Sequence, residues 1–178
     1  ENARRLGAKV VTVDTDNLDA TCICHQAVLD HFVADDGEGM RFTHAVIATP
    51  IESHLADLAE VRSNYPIVTD IMIEKPLCLP VQFKTAPPVV PDWNEYIGFN
   101  WRFNSVIREI KHTIESGEVG VIQYAQLTAR EWVPKIADNA WLESGSHILD
   151  TARFLFGELE LLYGRRFNGF ASAMLRSL

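Results

Sequence analysis

Apolar positions along the chain fall into short β-branched runs separated by longer, mixed stretches. Lys9-Val10-Val11-Thr12-Val13, Ala45-Val46-Ile47-Ala48, Ile71-Met72-Ile73 and Tyr96-Ile97-Gly98-Phe99 read as strands. The run Ala45–Ala48 is apolar throughout, as expected of a strand with helices on both faces. The stretches between strands read as helices. Ala3 to Leu6 end one, closed by Gly7. Asn17 to about Ala34 forms another, with Leu18, Ile23, Ala27, Val28 and Phe32 sharing a broad apolar face, and the turn Asp35-Asp36-Gly37-Glu38-Gly39 ends it. Glu52 to Arg62 is a third, broken by Tyr65-Pro66. This alternation predicts a parallel, doubly wound sheet. From Leu77 to Asp92 it falters, because Pro80, Pro87, Pro88 and Pro91 oppose a long regular helix.

After Asn100 the pattern changes. Asn104 or Ser105 can cap a helix in which Val106, Ile107, Ile110 and Ile114 share a side, ending at Gly117. Val121 to Ala129 reads as a strand, Ser146 to Phe156 as a helix closed by Gly157, and Glu160 to Tyr163 as a further strand. The residues through Leu178 carry no clear signal, and no internal repeat or low-complexity segment is present. The fold class is therefore α/β: an incomplete Rossmann-type doubly wound sheet over residues 1–99, then the start of an α+β domain over 100–178.

Composition narrows the partners. A net charge of −8 and a pI near 5.2 disfavour a nucleic-acid backbone or an anionic membrane. No apolar run approaches the roughly 20 residues that span a bilayer. The polar start Glu1-Asn2-Ala3-Arg4-Arg5 has no apolar core of a signal peptide, so a cytoplasmic protein is expected. Three cysteines at irregular spacing suit reduced thiols. Cys22-x-Cys24-His25 has no second ligand pair, so it reads as small helix side chains and not as a metal site.

Two places carry candidate chemistry. The strand Ile71-Met72-Ile73 ends abruptly in Glu74-Lys75-Pro76, and the carboxyl ends of strands are where open α/β sheets place ligands. A partly desolvated Lys75 there can exchange protons; the bland alternative is a surface ion pair with Glu74. His147 lies in the first turn of a helix, with Asp150 at i+3 and Glu143 one turn upstream. A carboxylate near an imidazole fixes its tautomer and strengthens it as a base. The alternative is Ser144 or Ser146 as a cap beside an inert histidine. Asp14, at the tip of its strand, either meets an adenosine ribose or starts a turn. Trp101-Arg102 either contacts a ligand or packs, with the arginine against an aromatic ring.

Taken together, the segments resemble the glucose–fructose oxidoreductase/inositol dehydrogenase/rhizopine-catabolism (Gfo/Idh/MocA) family of nicotinamide-dependent oxidoreductases. The resemblance rests on Leu6-Gly7-Ala8-Lys9-Val10-Val11-Thr12-Val13-Asp14, on His44-Ala45-Val46-Ile47-Ala48-Thr49-Pro50 with His54, and on Ile73-Glu74-Lys75-Pro76-Leu77. It extends through Gly98-Phe99-Asn100-Trp101-Arg102-Phe103-Asn104, Ile114-Glu115-Ser116-Gly117-Glu118-Val119-Gly120, and Gly145-Ser146-His147 through Asp150 to Phe156-Gly157. It implies hydride transfer between a hydroxyl of a sugar, cyclitol or nucleotide sugar and NAD, with NADP as the alternative cofactor. It assigns Lys75, His147 and Glu143 to catalysis. Asp14, Thr49, Pro50, Glu74, Lys75 and Arg102 are assigned to the cofactor, and Lys75, Arg102, Asp150 and His147 to the substrate. A homo-oligomer fits the same resemblance.

Three departures qualify it. Glu143 stands where many members carry aspartate. The helix expected between Leu77 and Tyr96 is shortened and proline-laden. The first strand and its Gly-x-Gly-x-x-Gly turn are absent, and most of the second sheet is expected to be missing beyond Gly157. That glycine turn supplies the helix N-terminus that holds a pyrophosphate, so these 178 residues alone are expected to bind dinucleotide poorly. A second reading is a non-catalytic remnant or binding module whose sheet a partner completes. A methyltransferase, which also places an acid after its second strand, is the weakest reading, because the Glu-Lys-Pro strand end and the later pattern oppose it.

Overall fold

The structure, a computed structural model, describes residues 5, 11–13, 42–86, 93–129, 141–167 and 170–178. Strands β1 (His44–Ile47), β2 (Asp70–Ile73) and β3 (Asn94–Ile97) form a parallel sheet in that order. Helix α1 (His54–Asn64) carries the chain from the end of β1 back to the start of β2. Parallel neighbours need such a crossover, because no tight turn can join them. The fold is mixed α/β and partly Rossmann-like.

Sequence explains the packing. α1 buries His54, Leu58 and Val61, spaced i, i+4 and i+7 on one stripe. That stripe meets Ile47, Val68, Ile71 and Ile73 to form the core. Ile71 and Ile73 are 0% and 1% exposed, and burying such a side chain contributes about 1.5–3 kcal/mol. Arg62, in the last turn of α1, donates Nε to Glu95 Oε1 at 2.8 Å, and Nη2 meets the same oxygen. This pair fastens the helix to β3.

The opposite face differs from expectation. Val46, Met72 and Tyr96 are cross-strand neighbours in one row, and all three are exposed. The run Ala45–Ala48 is therefore covered on one face, where strict alternation turns Ile47 inward and Val46 outward. β3 also begins and ends two residues earlier than the Tyr96–Phe99 expectation. The Asn94 amide donates to the Thr69 carbonyl at 2.6 Å, and the Asn94 side chain reaches Asp70 at 3.1 Å, which fixes the register.

Asn104 caps α2 (Ser105–Glu115), its Oδ1 accepting from the amides of Val106 at 2.9 Å and Ile107 at 3.4 Å. A π-helical turn over Trp141–Gly145 leads into α3 (Ser146–Phe156). Gly157 closes α3 at φ 84°, a conformation that favours glycine. Neither serine caps α3: Ser146 Oγ donates back to the Leu142 carbonyl at 3.1 Å.

Two expectations are corrected. Val121–Ala129 forms no strand, and Val121 and Tyr124 stand exposed at 82% and 80%. Alternation alone does not make a strand without a ladder partner. Beyond Gly157, β4 (Leu159–Phe167) and β5 (Phe170–Ser177) form an antiparallel hairpin, longer than the Glu160–Tyr163 expectation and including the residues that carried no signal. A bulge between Leu161 and Tyr163 breaks the period of two, which hides the pattern from a sequence reading. Among the described residues, no helix is long and apolar enough to cross a membrane.

Candidate active site

The register brings Ile47, Ile73 and Ile97 level across the sheet. The segments after the three strands therefore emerge at one edge: Thr49-Pro50 after β1, Glu74-Lys75-Pro76 after β2, and Gly98-Phe99 after β3. Two backbone bonds extend the ladders past the strands, from the Glu74 amide to the Ile47 carbonyl at 2.8 Å and from the Gly98 amide to the Ile73 carbonyl at 2.7 Å. A Cβ on Gly98 would lie 3.3 Å from the Ile73 carbonyl oxygen and 3.6 Å from the Glu74 carboxyl carbon. The approach to Glu74 would be an ordinary contact, whereas the Ile73 oxygen would have to give by a few tenths of an ångström for any side chain at this position.

Glu74 and Lys75 are half-buried, whereas Thr49 and Pro50 are exposed. Glu74 Oε2 accepts from the Lys75 backbone amide at 3.1 Å, which turns that carboxylate toward the lysine's own backbone. The Lys75–Pro76 peptide is cis. Thr49 Oγ1 donates to Asp57 Oδ2 in the first turn of α1 at 2.5 Å.

His147 reaches the same edge through aromatic rings. Its imidazole stacks on Trp101, with centroids 4.9 Å apart and planes 10° from parallel. Phe99, two residues past β3, meets it edge-on at 6.0 Å. The chain of contact runs from Glu74 through Gly98 and Phe99 to His147. The imidazole is half-buried and its Nδ1 is sealed from solvent.

Arg102 and Asp150 meet each other. Arg102 donates Nε to Oδ2 at 2.7 Å and Nη2 to Oδ1 at 2.5 Å, a two-pronged contact that takes both carboxylate oxygens. Asp150 is 6% exposed, and the hydrogen bond to it raises the Arg102 pKa against the opposing pull of burial. The guanidinium carbon lies 5.5 Å from the Phe154 ring centroid, and Lys111 Nζ lies 5.1 Å from the same centroid. Arg102 thus packs against an aromatic ring and joins the turn after β3 to α3.

Asp14, Cys22, Cys24 and His25 lie outside the described residues, as does the side chain of Glu143, whose backbone belongs to the π-helical turn. Among the described residues, no group of three or more His, Cys, Asp or Glu side chains could hold a metal. A cavity of about 650 Å³ lies elsewhere, between α2 and the segment after it, and none of the candidate residues lines it.

Two contributors were given no role by the sequence reading, although His54 was among the residues that carried the resemblance. His54 occupies a core position of α1, 1% exposed, and both its ring nitrogens meet backbone carbonyls of the site loops. A histidine at an aliphatic position of a helical stripe is the signal that could have found it. Gln82, in the proline-rich stretch, had no such signal.

No family model and no curated protein matches the sequence. Among solved structures, the chain is similar to the crystal structure of a probable oxidoreductase, yhhX, with a TM-score of 0.60 and 19% identity. The similarity covers 89% of this chain and 49% of that one, so the chain spans about half the length of the protein it matches. At that identity the likeness is one of fold.

At this carboxyl edge Thr49 and Pro50 are exposed and Lys75 is half-buried. No Gly-x-Gly-x-x-Gly segment occurs among the 178 residues to receive a pyrophosphate.

Proposed function

We propose that the protein belongs to an NAD(P)-dependent oxidoreductase of the Gfo/Idh/MocA type, acting on a hydroxyl of a sugar, cyclitol or nucleotide sugar. What supports this reading is that Phe99, which follows β3 just past the Gly98 beside Glu74, meets His147 edge-on, while Lys75 is the residue after Glu74 at the end of β2. The fold shared with a probable oxidoreductase supports it.

A bound nicotinamide supplies the hydride acceptor. The protein must remove the hydroxyl proton, because a neutral alcohol releases hydride reluctantly. Lys75 or His147 takes that proton, and the other donates a hydrogen bond to the same oxygen. Stacking on Trp101 holds the imidazole plane, and the half-buried setting shields the exchange from bulk water. Thr49 and Pro50 line the cofactor, and Glu74 and Arg102 flank the site. In this reading residues 1–99 carry the cofactor side and 100–178 the substrate side. NAD is favoured over NADP through Asp14, whose charge would repel a 2′-phosphate.

The test is NADH formation with a panel of sugars and cyclitols, by a version of the protein that also carries a Gly-x-Gly-x-x-Gly turn. Lys75→Ala and His147→Ala are each expected to lower kcat/KM by about 10²–10⁴-fold, the usual worth of a positioned proton acceptor. Unchanged turnover in both variants rejects the assignment.

A second reading has its own observation. The exposed row Val46–Met72–Tyr96 suits a binding module whose sheet needs a covering partner. A stable complex in size-exclusion chromatography, together with no turnover on any substrate, favours that reading instead.

A further inference from the structure

Of the three buried positions on the α1 stripe, Leu58 and Val61 are aliphatic. The third, His54, is polar and 1% exposed. Leaving such a ring unpartnered is costly, and apolar packing alone needs no imidazole there. Its contacts give it a different task. Nδ1 lies 3.0 Å from the Pro76 carbonyl oxygen, and Nε2 lies 2.8 Å from the Thr49 carbonyl oxygen. Carbonyls only accept, so the ring donates: to one of the two when neutral, to both as imidazolium.

Gln82 joins the same two loops a second time. Its Nε2 donates to the Glu52 carbonyl at 2.9 Å, and its Oε1 accepts from the Leu79 amide at 3.0 Å. Both side chains therefore span from the loop after β1 to the loop after β2. Among the described residues, the backbone ladder between these strands ends with the bond from Glu74 to Ile47. Lys75 is the next residue. Beyond that point, His54 and Gln82 connect the segment that carries Lys75 to the Thr49-Pro50 turn.

We infer that His54 and Gln82 are positioning residues that fix Lys75 relative to the Thr49-Pro50 turn. This inference rests on the proposed function, in which Lys75 handles the substrate proton and Thr49-Pro50 lines the nicotinamide. His54 touches neither ligand. It holds the carbonyl of Pro76, the residue after Lys75, and that of Thr49 at a set distance from one another. Misplacing a reacting group by about 1 Å can cost about 10²-fold in rate, so a device that sets this distance acts on kcat more than on affinity.

The experiment compares His54→Phe, which keeps ring volume but loses both donors, with His54→Gln, whose amide can still donate, and with Gln82→Met. Competitive acetylation of the folded protein, read residue by residue by mass spectrometry, gives the Lys75 rate relative to Lys111. That ratio needs no turnover. In His54→Phe it is expected to change at least about threefold, while kcat falls about 10–100-fold and KM for the substrate stays within about twofold. His54→Gln is expected to recover most of both changes, and Gln82→Met to show smaller changes of the same kind. A folded His54→Phe with wild-type ratio and kcat overturns the inference, as does a His54→Gln no better than His54→Phe. Loss of folding in all three variants assigns these contacts to stability alone and also overturns it. A changed ratio alongside full turnover in Lys75→Ala leaves the positioning intact and rejects the catalytic role of Lys75.

Discussion

The parallel sheet and the terminal hairpin make opposite use of similar backbone pairing. The hairpin has strands of 9 and 8 residues, while each strand of the parallel sheet has 4. Yet Leu161, Tyr163 and Met174 are 62%, 58% and 62% exposed, whereas Ile47, Ile71 and Ile73 are almost wholly buried. Backbone bonds exchange water for a protein partner at a net gain of only about 0.5–1.5 kcal/mol each. Burial of the Ile71 row supplies the larger share of local stability. The candidate site sits on the element with the core beneath it. Under the proposed function a proton acceptor has to stay in place, and a short strand backed by packed isoleucines and α1 holds it better than a long exposed ribbon does.

The sharpest way to break this contrast is to remove one aliphatic side chain from each element. Ile71→Ala is expected to destabilise the protein by about 2–5 kcal/mol, because it removes transfer energy and leaves a cavity under the site. Leu161→Ala is expected to change stability by no more than about 0.5 kcal/mol. Urea denaturation monitored by circular dichroism measures both. Equal losses would mean that the hairpin contributes a core of its own.

Arg102→Ala tests the joint between the sheet edge and α3. It leaves the Asp150 carboxylate, 6% exposed, without the fork that now holds both its oxygens. Breaking a fully buried pair costs about 3–5 kcal/mol; with the Arg102 side chain 41% exposed, solvent screens part of this, and about 2 kcal/mol is expected. Arg102→Lys keeps the charge but not the fork and should recover less than half of the loss. Thermal unfolding of the three proteins ranks them. A Lys variant equal to wild type would reduce the pair to simple charge compensation.

Much of this contrast was legible in the sequence where periodicity is local. The strand Ile71–Ile73, the 11 residues of α3 and the glycine that closes it come from apolar spacing and cap chemistry. So does the strand boundary before Glu74-Lys75, since a strand that ends in charges announces its own end. The features that stayed hidden depend on partners distant in sequence. The register that moves β3 to Asn94 is set by Thr69 and Asp70. The engagement of Arg102 with Asp150 spans 48 positions, and the contact of Gln82 with Glu52 spans 30. The β4–β5 pairing was masked by a single bulge, which shifts alternation by one residue and cancels the signal on which strand recognition relies.

Gly98→Ala probes the closeness of the strand ends at smaller cost. The added methyl would sit 3.3 Å from the Ile73 carbonyl oxygen and 3.6 Å from the Glu74 carboxyl carbon. The neighbours must yield by a few tenths of an ångström, at an expected cost of about 1 kcal/mol. Amide chemical shifts of Glu74 and Lys75 should move, while those of β4 and β5 should not. Movement across both elements would contradict the separation drawn between them.

Cys78 offers the smallest effect and a direct reading of sign. It is buried three residues past Lys75, and burial raises its thiol pKa above the ordinary 9.0 by disfavouring the thiolate. As pH rises through 9.0, the unfolded chain loses this proton before the folded chain does. The folded state then binds more protons than the unfolded one, so stability falls with rising pH over that interval. Below 9.0 both states keep the proton and the contribution is flat. Other groups titrate nearby, so the useful quantity is wild-type stability minus that of Cys78→Ala, measured from about pH 7 to about pH 10. This difference should decline at the alkaline end. A flat difference would mean that water reaches the thiol as freely in the folded protein as in the unfolded chain. The loop after Lys75 would then be as open as the hairpin, and the rigidity ascribed to the sheet edge would end at the strand itself.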